Sequence, residues 1–147
     1  MNAIQKYFGL QPSKLNSSHN LTFINRHYLA AREEINKLIE NNPETTTLDL
    51  RKYPGLKRLP PNIYKLKNLK SLNLSGCVLR SLPERIGELS NLESLDVSNT
   101  MINTLPISIG QLSNLKRLNC SDNSMRSLPA SLKIVGYLAF GWYGLHN

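Results

Sequence analysis

The side chains with which this chain could do acid-base, nucleophilic or metal chemistry are His19, His27 and His146 and the thiols Cys77 and Cys120. Their spacing supports none of it. The histidines are dispersed, and no HExxH, GxSxG or phosphate-cradling glycine loop occurs. Neither cysteine has the CxxC or histidine spacing of a zinc site, and two are too few for a disulfide scaffold. Sequons beginning at Asn16, Asn20, Asn73 and Asn119 lack an export context, because no continuous apolar h-region follows Met1 to Lys6. No catalytic residue, metal or cofactor is expected, and the chain does not read as an enzyme.

The chemistry that remains is hydrogen bonding at regular intervals. Asp49, Asn73, Asp96 and Asn119 recur at a nearly fixed step, flanked by Ser75, Ser98 and Ser121. Small polar groups at a constant step require an element that repeats, and repeats take precedence over any local reading. Leu72, Leu95 and Leu118 are 23 residues apart, as are the pairs Leu59-Pro60, Leu82-Pro83, Leu105-Pro106 and Leu128-Pro129. Ile63, Ile86, Ile109 and Leu132 keep the same step.

Alternation in Leu72-Asn73-Leu74, Leu95-Asp96-Val97 and Leu118-Asn119-Cys120 predicts short strands with one face buried and one polar. The Leu-Pro pair then changes the chain direction, since proline has no amide donor. Ile86 and Leu89, three residues apart, fit a short helical turn returning along the far side. Each turn buries its leucines only against its neighbours. The step from Leu48 to Leu72 is 24, because Arg51 to Gly55 holds one residue more than the later turns, and a local bulge is expected there.

The unit Leu69-x-x-Leu72-x-Leu74-x-x-Cys77-x-Leu79-x-x-Leu82-Pro83-x-x-Ile86-x-x-Leu89 resembles the leucine-rich-repeat family in its 23-residue form, over about residues 45 to 138. The resemblance implies an α/β solenoid: an arc with short parallel strands on its concave face, a helical N-terminal cap and an aromatic C-terminal cap. It also implies Asn, Cys or Thr at the ninth position of each repeat, bonding along the stack. Those positions are Tyr53, Cys77, Thr100 and Asn123, so the ladder is expected to be irregular and absent in the first turn. Cys77 then reads as structural. Cys77 and Cys120 lie two repeats apart, about 10 Å at a strand spacing of about 4.8 Å, beyond the roughly 7 Å limit for a disulfide.

The expected organisation is a helical cap at 1–44, four repeats at 45–133, and a C-terminal cap or decayed repeat at 134–147. Aromatics concentrate at both ends: Tyr7, Phe8, Phe23 and Tyr28 precede the repeats, and Tyr137, Phe140, Trp142 and Tyr143 follow them. Residues 26 to 41 read as an amphipathic helix with Tyr28, Ala31, Ile35 and Leu38 on one stripe, ended by Asn42-Pro43. A shorter helix is expected near residues 2 to 9 and a loop from Gln11 to Asn20. The segment from Ile134 to Leu145 loses the repeat phase, which fits a strand sealing the core, a partner-binding end, or a truncated longer array.

Function falls to the surface. The expected partner-binding residues are Thr47, Asp49 and Arg51; Ser71, Asn73, Ser75 and Val78; Ser94, Asp96, Ser98 and Met101; and Arg117, Asn119 and Ser121. The first members of each set point outward from the strands, and Val78 and Met101 add apolar groups on the adjoining loops. The expected partner is a protein, an enzyme or another effector, bound by a chain that is monomeric on its own. The Leu-Pro-x-x-Ile-Gly phrasing resembles, in style, the short leucine-rich-repeat effectors of intracellular bacteria such as Legionella. That resemblance implies a binder that inhibits an enzyme by covering its active site. A cytosolic location is expected, with delivery into a host cell by a non-Sec route if the effector reading holds.

Charge offers the competing class. The 147 residues carry 18 Lys and Arg against 10 Asp and Glu, net +8, and no apolar run approaches the length of a membrane span. Residues 45 to 70 hold Arg51, Lys52, Lys57, Arg58, Lys65, Lys67 and Lys70 against Asp49 alone. Such a patch suits nucleic-acid or acidic-membrane phosphates. Its residues spread over strand, loop and far side of one turn without stacking aromatics, which favours an acidic protein or plain solubility. Two tests follow from the repeat phase. Asp96→Arg should abolish partner binding at nearly unchanged melting temperature. Leu95→Ala should cost about 2 to 5 kcal/mol in denaturant unfolding as a core cavity, and a loss below about 0.5 kcal/mol would mean that the phase is misread.

Overall fold

Three-residue strands form wherever the leucine alternation predicts them, each with its central leucine buried. They are β1 (Thr47–Asp49), β2 (Ser71–Asn73), β3 (Ser94–Asp96) and β4 (Arg117–Asn119). The computed structural model describes residues 26–132. The strands make one parallel sheet in the order β1-β2-β3-β4, in which Leu48, Leu72, Leu95 and Leu118 face one another in register. Parallel hydrogen bonding runs on past the strands: Leu50, Leu74 and Val97 donate to Asn73, Asp96 and Asn119 carbonyls at 2.9, 2.8 and 2.8 Å. Gly76 and Asn99 donate to Ser98 and Ser121, both at 3.0 Å.

After β2, β3 and β4 the chain turns through a left-handed residue: Gly76 (φ 74°), Asn99 (φ 49°) and Asp122 (φ 55°). Asn and Asp tolerate this region better than other side-chain-bearing residues. The extra residue of the first repeat is absorbed in two successive turns, in which Tyr53 N donates to Leu50 O and Leu56 N to Tyr53 O, both at 2.9 Å. The bulge therefore lies in the loop and leaves the β1–β2 register intact.

On the far side, Pro60, Pro83 and Pro106 take extended ψ values of 130° to 153° and start 3-10 helices η1 (Pro61–Lys65), η2 (Glu84–Glu88) and η3 (Ile107–Gln111). With three residues per turn, Ile63 and Leu66, Ile86 and Leu89, and Ile109 and Leu112 fall on one face, and all are buried. The core between sheet and 3-10 helices is leucine-dominated and continuous along the stack. Gly87 and Gly110 let neighbouring turns approach. A Cβ on Gly87 would lie 2.9 Å from Ser108 O and 3.1 Å from Ser108 Cβ, and one on Gly110 would collide with Ser131. The first repeat has Tyr64 at the equivalent place, buried, with the Arg85 guanidinium 4.5 Å above its ring. Burial pushes its hydroxyl pKa up to about 12.

The expected helix forms as α1 (Arg26–Asn41) and lays Ala31 and Ile35 into the core, with Tyr28, Leu38 and Ile39 beside them. Asn62 Nδ2 ties η1 to it through Arg32 O (2.9 Å) and Asn36 Oδ1 (2.8 Å). The expectations for residues 1–25, and for the segment at 134–147, lie outside the described residues. The convex packing predicts that Gly87→Ala lowers unfolding free energy by about 1 to 3 kcal/mol through overpacking. Gly76→Ala has open space around its Cβ and should lose only the left-handed penalty, about 1 to 2 kcal/mol. Urea midpoints for the two variants check this; an undiminished midpoint in Gly87→Ala would contradict the close approach.

Candidate protein-binding face

The strand alternation that buries the leucines turns their neighbours outward into rows. Thr47, Ser71, Ser94 and Arg117 make one row across the sheet, and Asp49, Asn73, Asp96 and Asn119 the next. Arg51, Ser75, Ser98 and Ser121 follow two residues later, and Val78 and Met101 lie farther along the loops. The structure thus brings together every residue expected to bind a partner, and none of them is buried.

The second row is already in use by the fold. Asn73 Oδ1 accepts from Ser75 N (3.0 Å) and Ser75 Oγ (2.9 Å). Asp96 Oδ1 accepts from Ser98 N (2.9 Å) and Oγ (2.6 Å), and Asn119 Oδ1 from Ser121 N (3.2 Å) and Oγ (2.8 Å). Each is an Asx turn that ends its strand. Asp96 Oδ2 also accepts from Asn119 Nδ2 at 3.1 Å. In the first repeat Arg51 replaces the serine: its amide and its Nε both reach Asp49 Oδ1 at 3.0 Å. The Arg51 hydrogen bond holds the Asp49 carboxyl below the usual range.

A second ladder runs along the strand entries. Glu93 stands between Lys70 (3.6 Å) and Lys116 (2.8 Å), and its carboxyl is held low chiefly by the Lys116 hydrogen bond. Below it Asn91 and Asn114 donate to Lys67 O and Ser90 O of the preceding repeats, both at 2.8 Å, and Asn68 to Glu44 at 2.7 Å. Sequence reasoning passed over these asparagines, although Asn-Leu at 23-residue steps was the signal. It also passed over Ile107 at the start of η3, which is 74% exposed.

The ninth positions behave as different side chains allow. Asn123 Nδ2 donates to Val97 O (2.7 Å), while its Oδ1 accepts from Thr100 N (3.0 Å). Cys77 Sγ reaches Leu50 O at 3.5 Å. Tyr53 leaves the ladder and bonds Glu34 of α1 at 2.5 Å. Cys77 and Cys120 are free and buried, and desolvation pushes both thiols up to about 11, so they stay protonated at neutral pH.

The basic first repeat is largely compensated in space. Arg51 pairs with Asp49 (2.6 Å), Lys52 with Glu34 (2.9 Å), Lys67 with Glu88 (3.9 Å) and Lys70 with Glu93. Arg58 sits 5.0 Å above the Tyr28 ring. Three of those four carboxylates come from outside residues 45 to 70, which is why counting along the chain overstated the patch.

A family model described as a leucine-rich repeat region matches residues 47–139. This chain belongs to the leucine-rich-repeat family. The fold is that of a protein-interaction module, generally without catalysis of its own. Among solved structures it is similar to the leucine-rich-repeat domain of the type III effector XopL, with 19% identity, 76% of this chain and 45% of that chain covered, and a TM-score of 0.57. It is also similar to a leucine-rich-repeat protein of Leptospira interrogans, with 32% identity, coverage of 65% and 30%, and a TM-score of 0.49. This chain spans less than half the length of either. None of the curated proteins matches it. No helix among the described residues is long and apolar enough to cross a membrane.

The Asx turns revise the expectation for Asp96→Arg. The substitution removes the acceptor of Ser98 N, Ser98 Oγ and Asn119 Nδ2, so it should cost about 1 to 3 kcal/mol of stability, while Ser94→Ala should stay within about 0.5 kcal/mol. Denaturant unfolding separates them. Equal midpoints would mean that the turn does not depend on the carboxylate.

Proposed function

We propose that this chain is a non-catalytic module that recognises a protein through its concave face and the loops beside it. The observation that carries this reading is the rigid polar face itself. Four registered strands present Thr47, Ser71, Ser94 and Arg117 between two internally bonded ladders, so the face is preorganised and a partner bears little ordering cost. The sheet alone is small. Four strands of three residues each, at about 4.8 Å spacing and about 3.4 Å per residue, give roughly 200 Å², against roughly 800 Å² per partner in a standard interface. The partner therefore also touches the loops that carry Val78 and Met101. This chain is read further as a bacterial effector that covers an enzyme's active site; the fold shared with a type III effector's repeat domain supports that line. A phosphate-binding role is disfavoured, because Arg51, Lys52, Lys67 and Lys70 already have carboxylate partners.

The test uses a variant that spares the Asx turns. Ser71→Tyr with Ser94→Tyr fills the middle of the face with residues that suit strands. Captures from lysates of the source organism and its host, at low and high salt, should yield one stoichiometric protein with the wild type and lose it with the variant at unchanged melting temperature. Assay of that protein then reads inhibition directly. Capture that survives in the variant would remove the concave face from the account.

A further inference from the structure

All ten carboxylate side chains of the chain lie between Glu33 and Asp122, so every one is among the described residues. The ion pairs within 4 Å engage Lys37, Arg51, Lys52, Lys67, Lys70, Arg85 and Lys116. Arg26, Arg58, Lys65 and Arg117 lie outside those pairs, and so do Lys57, Arg80 and Arg126. The last three are not scattered. Each directly follows the residue that re-enters the core after the strand-ending turn, Leu56, Leu79 and Met125, and the three share one register position at 23-residue steps, with Asn103 between the last two. All four side chains are exposed. At about 4.8 Å per repeat, Lys57 and Arg80 are neighbours and Arg126 stands about 10 Å beyond Arg80.

Apolar surface lies on the same strip. Met101 is 56% exposed, and its amide donates to Leu79 O at 2.9 Å, which sets it against the peptide leading into Arg80. Val78 is half-buried, with its amide on Pro54 O at 3.1 Å. The carboxylates nearest in the repeat pattern are Asp122, four residues before Arg126 and exposed at the left-handed position of the last turn, and Glu84, four residues after Arg80, which accepts from Ser108 N at 3.1 Å. The opposite edge of the sheet is organised differently, with Lys70, Glu93 and Lys116 alternating in sign and satisfying one another. One edge thus carries a run of ion pairs, and the other offers three cations with no carboxylate within 4 Å around a polarisable thioether.

We propose that this descending-loop edge, with Lys57, Arg80 and Arg126 as cations and Met101 as the apolar contact, docks an acidic protein segment carrying apolar side chains. The proposal rests on the protein-binding reading above and assigns the partner's chemistry. Charge complementarity selects the sign of the partner and speeds encounter, and methionine adapts its shape to varied apolar groups. Among the described residues a nucleic-acid occupant meets no free stacking platform beside these cations: Tyr53 is half-buried and bonded to Glu34, and Tyr64 is buried.

The probe is a fluorescent pool of short peptides rich in Glu, Asp, Leu and Phe, compared with a Lys-substituted pool and with single-stranded RNA, on the full chain at low salt. The acidic pool should bind, and Lys57→Glu with Arg80→Glu and Arg126→Glu should weaken it by about tenfold or more. Met101→Ser alone should weaken it several-fold, and the milder Lys57→Gln with Arg80→Gln gives a reading if the reversal fails to fold. The Ser71→Tyr and Ser94→Tyr variant should bind the pool as wild type does. Loss in that variant with none in the charge variants would overturn this proposal and leave concave-face recognition standing. Absence of acidic-pool binding, or tighter binding of RNA, would overturn it too.

Discussion

Everything in this molecule depends on leucines that are buried only by the next repeat. A three-residue strand has no stability of its own, and a single turn of this kind exposes half of its apolar groups on each side. Leu48, Leu72, Leu95 and Leu118 close those gaps in register, and Ile63, Ile86 and Ile109 do the same behind them. α1 extends the same burial to one end of the array by inserting Ala31 and Ile35 against the first repeat. The sheet, the convex helices and the outward face are consequences of one stacking constraint.

The outward face also serves the fold. Asn73, Asp96 and Asn119 look available to a partner when read along the sequence, yet each spends a side-chain oxygen on the serine two residues ahead. The turn so fixed permits the left-handed residue that follows and returns the chain to the core. What remains for recognition is the first row, the serine hydroxyls at its border and the loops, and the two edges differ in charge.

Much of this was legible in the sequence because leucine phase, Leu-Pro pairs and helix amphipathicity are local patterns. The phase placed the strands, the short helical turns and the extra residue of the first repeat, and the amphipathic stripe of residues 26 to 41 placed α1. The illegible part lies across repeats. Lys52 with Glu34, Lys67 with Glu88 and Lys70 with Glu93 are separated by 18 to 23 positions and become neighbours only in the coil. The basic first repeat therefore looked more uncompensated than it is. The strands span only three residues each, and parallel bonding continues past them as turn backbone, which the alternation alone does not mark. The use of Asp96 by its own turn was hidden for a different reason: an Asx turn leaves only Asp-x-Ser as its trace, and that pattern is common.

The central claim is that one cooperative stack holds both core and face. Native-state hydrogen exchange of the Leu50, Leu74 and Val97 amides, each donating to the next repeat, tests it most directly. The account predicts that all three exchange through the same global opening, with free energies agreeing within about 1 kcal/mol of each other and of the denaturant value. Opening energies that differ by more than about 2 kcal/mol between these repeats would contradict it, because the turns would then be separate units, not one stack.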